Sequence, residues 1–228
     1  PAQMAALNKI AKRNNELIVI EDAAQAAGAS IDGNYVGGLG TIGAFSLHPN
    51  KTLAALGDGG VLTTNDDQLA SYFRTARNHG LSGGQCLFWS QNSRLDELQA
   101  AFLRAKLPHL ERWNDRRNKI ANYYEEQFGK YVECPQQSIN LRSVYHTYII
   151  QTDKRNALKE YLIEQGIETA IHYPSLTGDH PASSSLAKAD VPASLKSINR
   201  ILSLPIHDAL TDDEIMAVAQ GIKNFFNA

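Results

Sequence analysis

An α/β unit followed by a smaller α+β unit is the architecture that this sequence predicts, and three observations predict it. Residues 1–16 place apolar side chains at helical spacing and run into the all-apolar stretch Leu17-Ile18-Val19-Ile20, which has the length of a strand. Extended segments then recur between glycine-rich loops as far as Thr64. Beyond Phe128, strand-like and helix-like segments alternate. With 228 residues, 43% of them hydrophobic and 20% charged, the composition suits one large globular domain or two small ones. The division expected is residues 1–112 and 113–228.

The opening helix carries Met4, Ala5, Leu7, Ile10 and Ala11 at its apolar positions. A run that is apolar throughout is expected of a central strand buried on both faces. Such a strand puts Glu21 and Asp22 at its carboxyl end, where open α/β sheets hold their ligands, so Asp22 is a site candidate by position. The small-residue stretch Ala23 to Ser30 and a glycine-rich loop from Gly33 to Gly43 lead to a second strand, Ala44 to Leu47. Gly57-Asp58-Gly59-Gly60 precedes a third, Val61 to Thr64. Asn65, with a reciprocal partner three residues on at Gln68, caps a helix from about Asp66 to Ala76, which Asn78-His79-Gly80 ends. Leu95, Leu98, Phe102, Ala105, Leu110, Trp113, Ile120 and Tyr124 keep helical spacing, and Pro108 divides them between two helices. A strand (Tyr145 to Gln151), a helix (Lys154 to Gln165, closed by Gly166) and a strand (Glu168 to Tyr173) follow. Two further helices end the chain, the last opened by a capping box of Thr211 and Glu214.

Composition removes several function classes. Lys and Arg number 22 against 24 Asp and Glu, a formal net charge of -2, so no chain-wide positive field exists to hold nucleic acid or anionic lipid. The apolar runs are too short to cross a bilayer and the amino end has no secretory pattern. Cys86 and Cys134 form neither a CxxC pair nor a disulfide framework, and a reducing, cytoplasmic setting is expected. The seven histidines show no HxxxH or HExxH spacing, so no metal site is expected. Gly38-Leu39-Gly40-Thr41-Ile42-Gly43 matches GxGxxG, but an extended segment rather than a helix follows it, and a tight loop is the better reading. No GxxxxGK[ST] loop accompanies the acidic end of the first strand, and Ser46 lacks a GxSxG elbow.

Lys51 stands out by its company. On its own segment it reads equally well as a solvated surface charge. Yet a carboxylate at a strand end (Asp22), a hydroxyl five residues upstream (Ser46) and glycine-rich backbone around both are the parts that a pyridoxal phosphate site requires.

The strings Ile20-Glu21-Asp22-Ala23-Ala24-Gln25-Ala26, Phe45-Ser46-Leu47-His48-Pro49-Asn50-Lys51-Thr52-Leu53 and Gly57-Asp58-Gly59-Gly60 closely resemble the DegT/DnrJ/EryC1/StrS family of sugar aminotransferases. The resemblance continues through Arg77-Asn78-His79-Gly80 and Asn92-Ser93-Arg94-Leu95-Asp96-Glu97-Leu98-Gln99-Ala100-Ala101, and more loosely through Gly166-Ile167-Glu168-Thr169, His172-Tyr173-Pro174 and Leu202-Ser203-Leu204-Pro205. It implies a fold-type I pyridoxal phosphate enzyme that transfers an amino group from glutamate or glutamine to a nucleotide-linked keto-sugar. In it Lys51 matches the Schiff-base lysine, Asp22 the partner of the pyridinium nitrogen, Gln25 a side chain beside the cofactor ring, and Ser46 a phosphate-binding hydroxyl. Asn92 matches a residue that reaches the phosphate of the neighbouring subunit's cofactor, which implies a homodimer. Relatives that dehydrate sugars carry histidine in place of this lysine, so Lys51 favours amino transfer.

By the same resemblance, Pro1 to Met4 align well inside the family's large domain, so residues 1–112 are expected to be the remaining carboxyl part of a truncated, mainly parallel large domain and 113–228 the small domain. A shortened parallel sheet exposes backbone edges and apolar faces, and association with another copy or a complementing chain is expected. Three readings stay open. The chain is the lysine-bearing part of an aminotransferase, incomplete alone; it is a non-catalytic truncated homologue serving as a binding or assembly module; or it is an enzyme using the same lysine for other Schiff-base chemistry.

Overall fold

The computed structural model describes residues 1–15, 17–187 and 189–227. The chain forms two compact units: Pro1–Asp115 with Gln137–His146, and Arg116–Gln136 with Thr147–Ala228. Against the expected division after residue 112, the change of unit falls after Asp115, and a short stretch beyond it returns to the first unit.

In the first unit, helix α1 (Met4–Arg13) leads to β1 (Ile20–Asp22). A two-residue turn, Asp32-Gly33, joins β2 (Ser30–Ile31) to β3 (Asn34–Tyr35). Both turn residues have positive φ, +49° and +78°, as a twisted hairpin turn demands. Strands β4 (Ile42–Ser46) and β5 (Gly60–Thr63) complete the main sheet, whose order is β1-β4-β5. β1 and β4 run parallel, whereas β4 and β5 are antiparallel. Helix α2 (Asp67–Ala76) follows, then the small hairpin β6 (Leu81–Ser82) and β7 (Gln85–Cys86), and helix α3 (Glu97–Lys106). A 3-10 turn, Leu107–His109, contains Pro108 and leads into α4 (Leu110–Phe128). Returning to this unit, β8 (Leu141–Arg142) pairs antiparallel with β2, and Arg142 forms ion pairs with Glu111 and Asp115 on α4.

The second unit combines the carboxyl part of α4 with β9 (Tyr148–Gln151), α5 (Arg155–Glu164), α6 (Pro192–Ile198), β10 (Ile201–Leu204) and α7 (Asp212–Asn227). β9 and β10 form an antiparallel pair, and Ile120, Tyr124, Phe128, Leu158, Leu202 and Ile222 fill the core. The expected capping box is present: Thr211 and Glu214 satisfy each other's backbone and side-chain groups, and these bonds hold the Glu214 carboxyl below its usual range.

Several expectations need correction. The stretch Leu17 to Ile20 is not a central strand buried on both faces: among the described residues β1 pairs with β4 alone, Ile20 is the one of the four that lies in it, and Leu17, Ile18 and Ile20 are 60%, 60% and 64% exposed. Asp66, not Asn65, caps α2, because its carboxylate accepts the Gln68 and Leu69 amides. The hairpin from Ser30 to Tyr35 takes in the start of the expected glycine-rich loop from Gly33 to Gly43. Tyr145, at φ +43°, breaks extension and delays β9 to Tyr148. Among the described residues, Glu168 to Tyr173 makes a single bridge, Ala170 to Ser203, on the edge of β10 away from β9, in place of the expected strand.

Tyr124 is buried, and its hydroxyl donates to the Pro205 carbonyl at 3.0 Å. Burial raises its ionisation well above the ordinary tyrosine range. The folded chain therefore keeps the proton that the unfolded chain releases above pH ~10. Tyr124→Phe should cost about 1 kcal/mol at pH 7 and lessen the stability lost between pH 9 and 11. Denaturant titrations across that range check this, and an unchanged alkaline slope in the variant would assign the loss elsewhere.

Candidate active site

β1 ends in Glu21-Asp22, whose side chains alternate, Glu21 inward and Asp22 outward. Hydropathy alone would have reversed the strand and buried Ile20. What decides the matter is the glycine-rich loop: the Glu21 carboxylate, 7% exposed, accepts the backbone N–H groups of Gly37 (2.8 Å), Leu39 (2.8 Å) and Gly40 (2.6 Å). The GxGxxG segment thus cradles the chain's own carboxylate. Close approach is needed for this. A Cβ at Gly40 would lie 2.8 Å from the Val19 carbonyl oxygen, so glycine is required there. Sequence reading passed over Glu21; its signal was an acidic residue set beside a segment rich in free backbone amides.

With Glu21 turned inward, Asp22 stands exposed at the carboxyl end of β1, opposite Ala44 of β4. Its Oδ1 accepts the Ala24 amide at 3.1 Å. Ser46 closes β4 two residues beyond Ala44, so a carboxylate and a hydroxyl end adjacent parallel strands, where α/β sheets place ligands. The Ser46 hydroxyl accepts the His48 amide at 3.3 Å. The loop from Leu47 to Ala55 is closed by a hydrogen bond from the Ala55 N–H to the Leu47 carbonyl, 2.8 Å, with both ends buried. Lys51 sits midway along it, half-buried. Among the described residues, neither Lys51 nor Asp22 belongs to an ion pair.

Gln25 is exposed in the turn directly after β1. Asn92 lies further along the chain, bridged to Asn78, and its Oδ1 accepts from the Arg94 guanidinium at 2.7 Å. The topology therefore brings Asp22 and Ser46 to one end of the sheet, with Gln25 and the Lys51 loop issuing from the same strand ends. A half-buried amine and a carboxylate, neither in an ion pair among the described residues, and a hydroxyl at the adjacent strand end form the donor set that pyridoxal phosphate needs, and the residues present fit that group.

A crystal structure of S. venezuelae DesV in complex with a ketimine intermediate superposes with a TM-score of 0.95 at 35% identity, over 100% of this chain and 62% of that one. The chain belongs to the DegT/DnrJ/EryC1/StrS aminotransferase family, whose profile matches residues 1–223. It is 41% identical to a Geobacillus stearothermophilus protein named pleiotropic regulatory protein, over 99% of this chain and 62% of the relative. It is 38% identical to the UDP-N-acetyl-3-dehydro-alpha-D-glucosamine 3-aminotransferase of Acidithiobacillus ferrooxidans, over 98% of this chain and 61% of the relative. The chain thus spans about three fifths of the length of these relatives.

Glu21→Ala would leave three amides without their acceptor and should destabilise the chain by about 2–4 kcal/mol, less than three separate charged hydrogen bonds because the carboxylate's own desolvation is relieved. Equilibrium denaturation measures it. A loss below about 0.5 kcal/mol would show that the loop amides are satisfied by water instead.

Proposed function

We propose that this chain is the lysine-bearing part of a pyridoxal phosphate-dependent aminotransferase that moves an amino group from glutamate or glutamine to the keto carbon of a nucleotide-linked sugar. The observation that carries this reading is the half-buried Lys51, in no ion pair among the described residues, on a closed loop leaving the strand end where Ser46 and Asp22 stand on neighbouring parallel strands. Family membership and a relative named for a UDP-linked sugar support it.

When bound, the cofactor supplies an electron sink for the carbanion formed as a substrate carbon loses its proton. Asp22 keeps the ring nitrogen protonated, since a nearby negative charge favours the cationic form. The Ser46 hydroxyl and adjacent backbone amides bind phosphate, and Gln25 packs beside the ring. Lys51 holds the cofactor through its amine. With its amine free and neutral, Lys51 would be the base that takes up and returns the proton of the substrate carbon.

Asn92 serves the neighbouring subunit's phosphate, so the working assembly is a homodimer, and its setting is the cytoplasm. A second reading, a non-catalytic module that assembles with another chain, is favoured by the exposed apolar residues Leu17, Ile18 and Ile20 beside and on edge strand β1.

One experiment separates the two. The purified chain, treated with pyridoxal phosphate and borohydride, should carry a single label per chain, on Lys51 by peptide mass mapping, and Lys51→Ala should carry none there. Label scattered over surface lysines would overturn the cofactor reading in favour of the assembly module. Asp22→Asn should retain the Lys51 label while slowing amino transfer at least about a hundredfold; undiminished turnover would remove Asp22 from the chemistry.

A further inference from the structure

Helix α3 turns one stripe of its surface toward the loop that carries Lys51. Leu103 is buried with Leu47 and Ala55, and Leu95 and Leu53 pack against the same cluster. Leu98, expected on the apolar face, is instead 67% exposed. Gln99, Leu103 and Lys106 recur at spacings of four and three and so share one face of the helix. From that face the two polar side chains reach consecutive peptide groups. Leu56 N–H donates to Oε1 of Gln99 at 2.7 Å, and Lys106 Nζ donates to the Ala54 carbonyl oxygen at 2.7 Å. Between them, the Ala55 N–H is the donor that closes the loop onto Leu47. Three successive residues, 54 to 56, are thereby pinned.

We infer that Gln99 and Lys106 are positioning residues for Lys51, fixing the downstream root of its loop so that the amine stays at the ends of β1 and β4. The inference rests on the reading of Lys51 as the cofactor lysine. The physical reason is entropic. Within the nine-residue loop the backbone bonds are the turn from the Lys51 N–H to the His48 carbonyl and the closure from the Ala55 N–H to the Leu47 carbonyl; if the closing end loosens, that turn and its amine move together and sample many positions. Side chains on a packed helix pay that ordering cost during folding, before any ligand binds. Lys106 suits the task because its long side chain carries an ammonium from the helix face that buries Leu103 to a backbone carbonyl of the loop.

The test reads the clamp and the lysine separately. In Gln99→Ala and Lys106→Met, amide hydrogen exchange over residues 54–57 should quicken about tenfold, with β5 and α2 unchanged as the measure of intact folding. In the same variants, acylation of Lys51 by a small amine reagent, relative to Lys9 in the same sample, should rise severalfold. Gln99→Glu, which keeps the acceptor, and Lys106→Arg, which keeps a donor, should restore both values. Unchanged exchange at 54–57 would overturn the clamp. Faster exchange with unchanged Lys51 acylation would reduce Gln99 and Lys106 to structural residues of the loop. Neither readout needs pyridoxal phosphate, so failure of Lys51 to take the cofactor label would refute the proposed function while these results still judged the clamp.

Discussion

The carboxylate of Glu21 determines how the first unit is built around its sheet. An ionised group taken out of water must be met by donors, and three loop amides at 2.6 to 2.8 Å meet it. Two results follow from that one set of bonds. The glycine-rich loop is pinned against β1 in a conformation that side chains would obstruct, and the alternation of β1 is fixed with Glu21 inward. Side-chain direction reverses at each residue of a strand, so Asp22 is directed outward at the sheet's end.

The second ordering element is α3. It holds the Lys51 loop by an apolar cluster and two polar contacts, all within the first unit. The acid and the amine of the proposed site are therefore held by different means. Asp22 takes its direction from strand geometry, whereas Lys51 takes its place from a loop fastened at its roots. This division suits the roles proposed for them: one group stays against the ring, and the other changes partners during the reaction.

Much of this was legible in the residues. The helix spacing around Leu95 to Tyr124, the break at Pro108 and the Thr211 and Glu214 capping box are local features, and local chemistry shows them directly. Asp22, Ser46 and Lys51 stand out in the sequence as a candidate set by residue type and position, and the structure places the first two at the ends of adjacent parallel strands. Other features lay beyond local reading. The run Leu17 to Ile20 has the hydropathy of a core strand, but burial depends on what packs against it, and among the described residues β1 pairs only with β4. The segment from Glu168 to Tyr173 has strand-like composition, but it meets β10 through one bridge, Ala170 to Ser203, on the edge of β10 away from β9.

The sequence by itself determined the class of protein, the identity of its chemical groups and most helix limits, because residue type, spacing and caps act over a few neighbours. Only the tertiary structure decided which acid of the Glu21-Asp22 pair is buried, which face of α3 carries the Lys51 loop, and that residues 137–146 return to the first unit. Each of these depends on partners separated by ten or more residues, and no local propensity contains the free energy of a contact whose other half lies elsewhere in the chain.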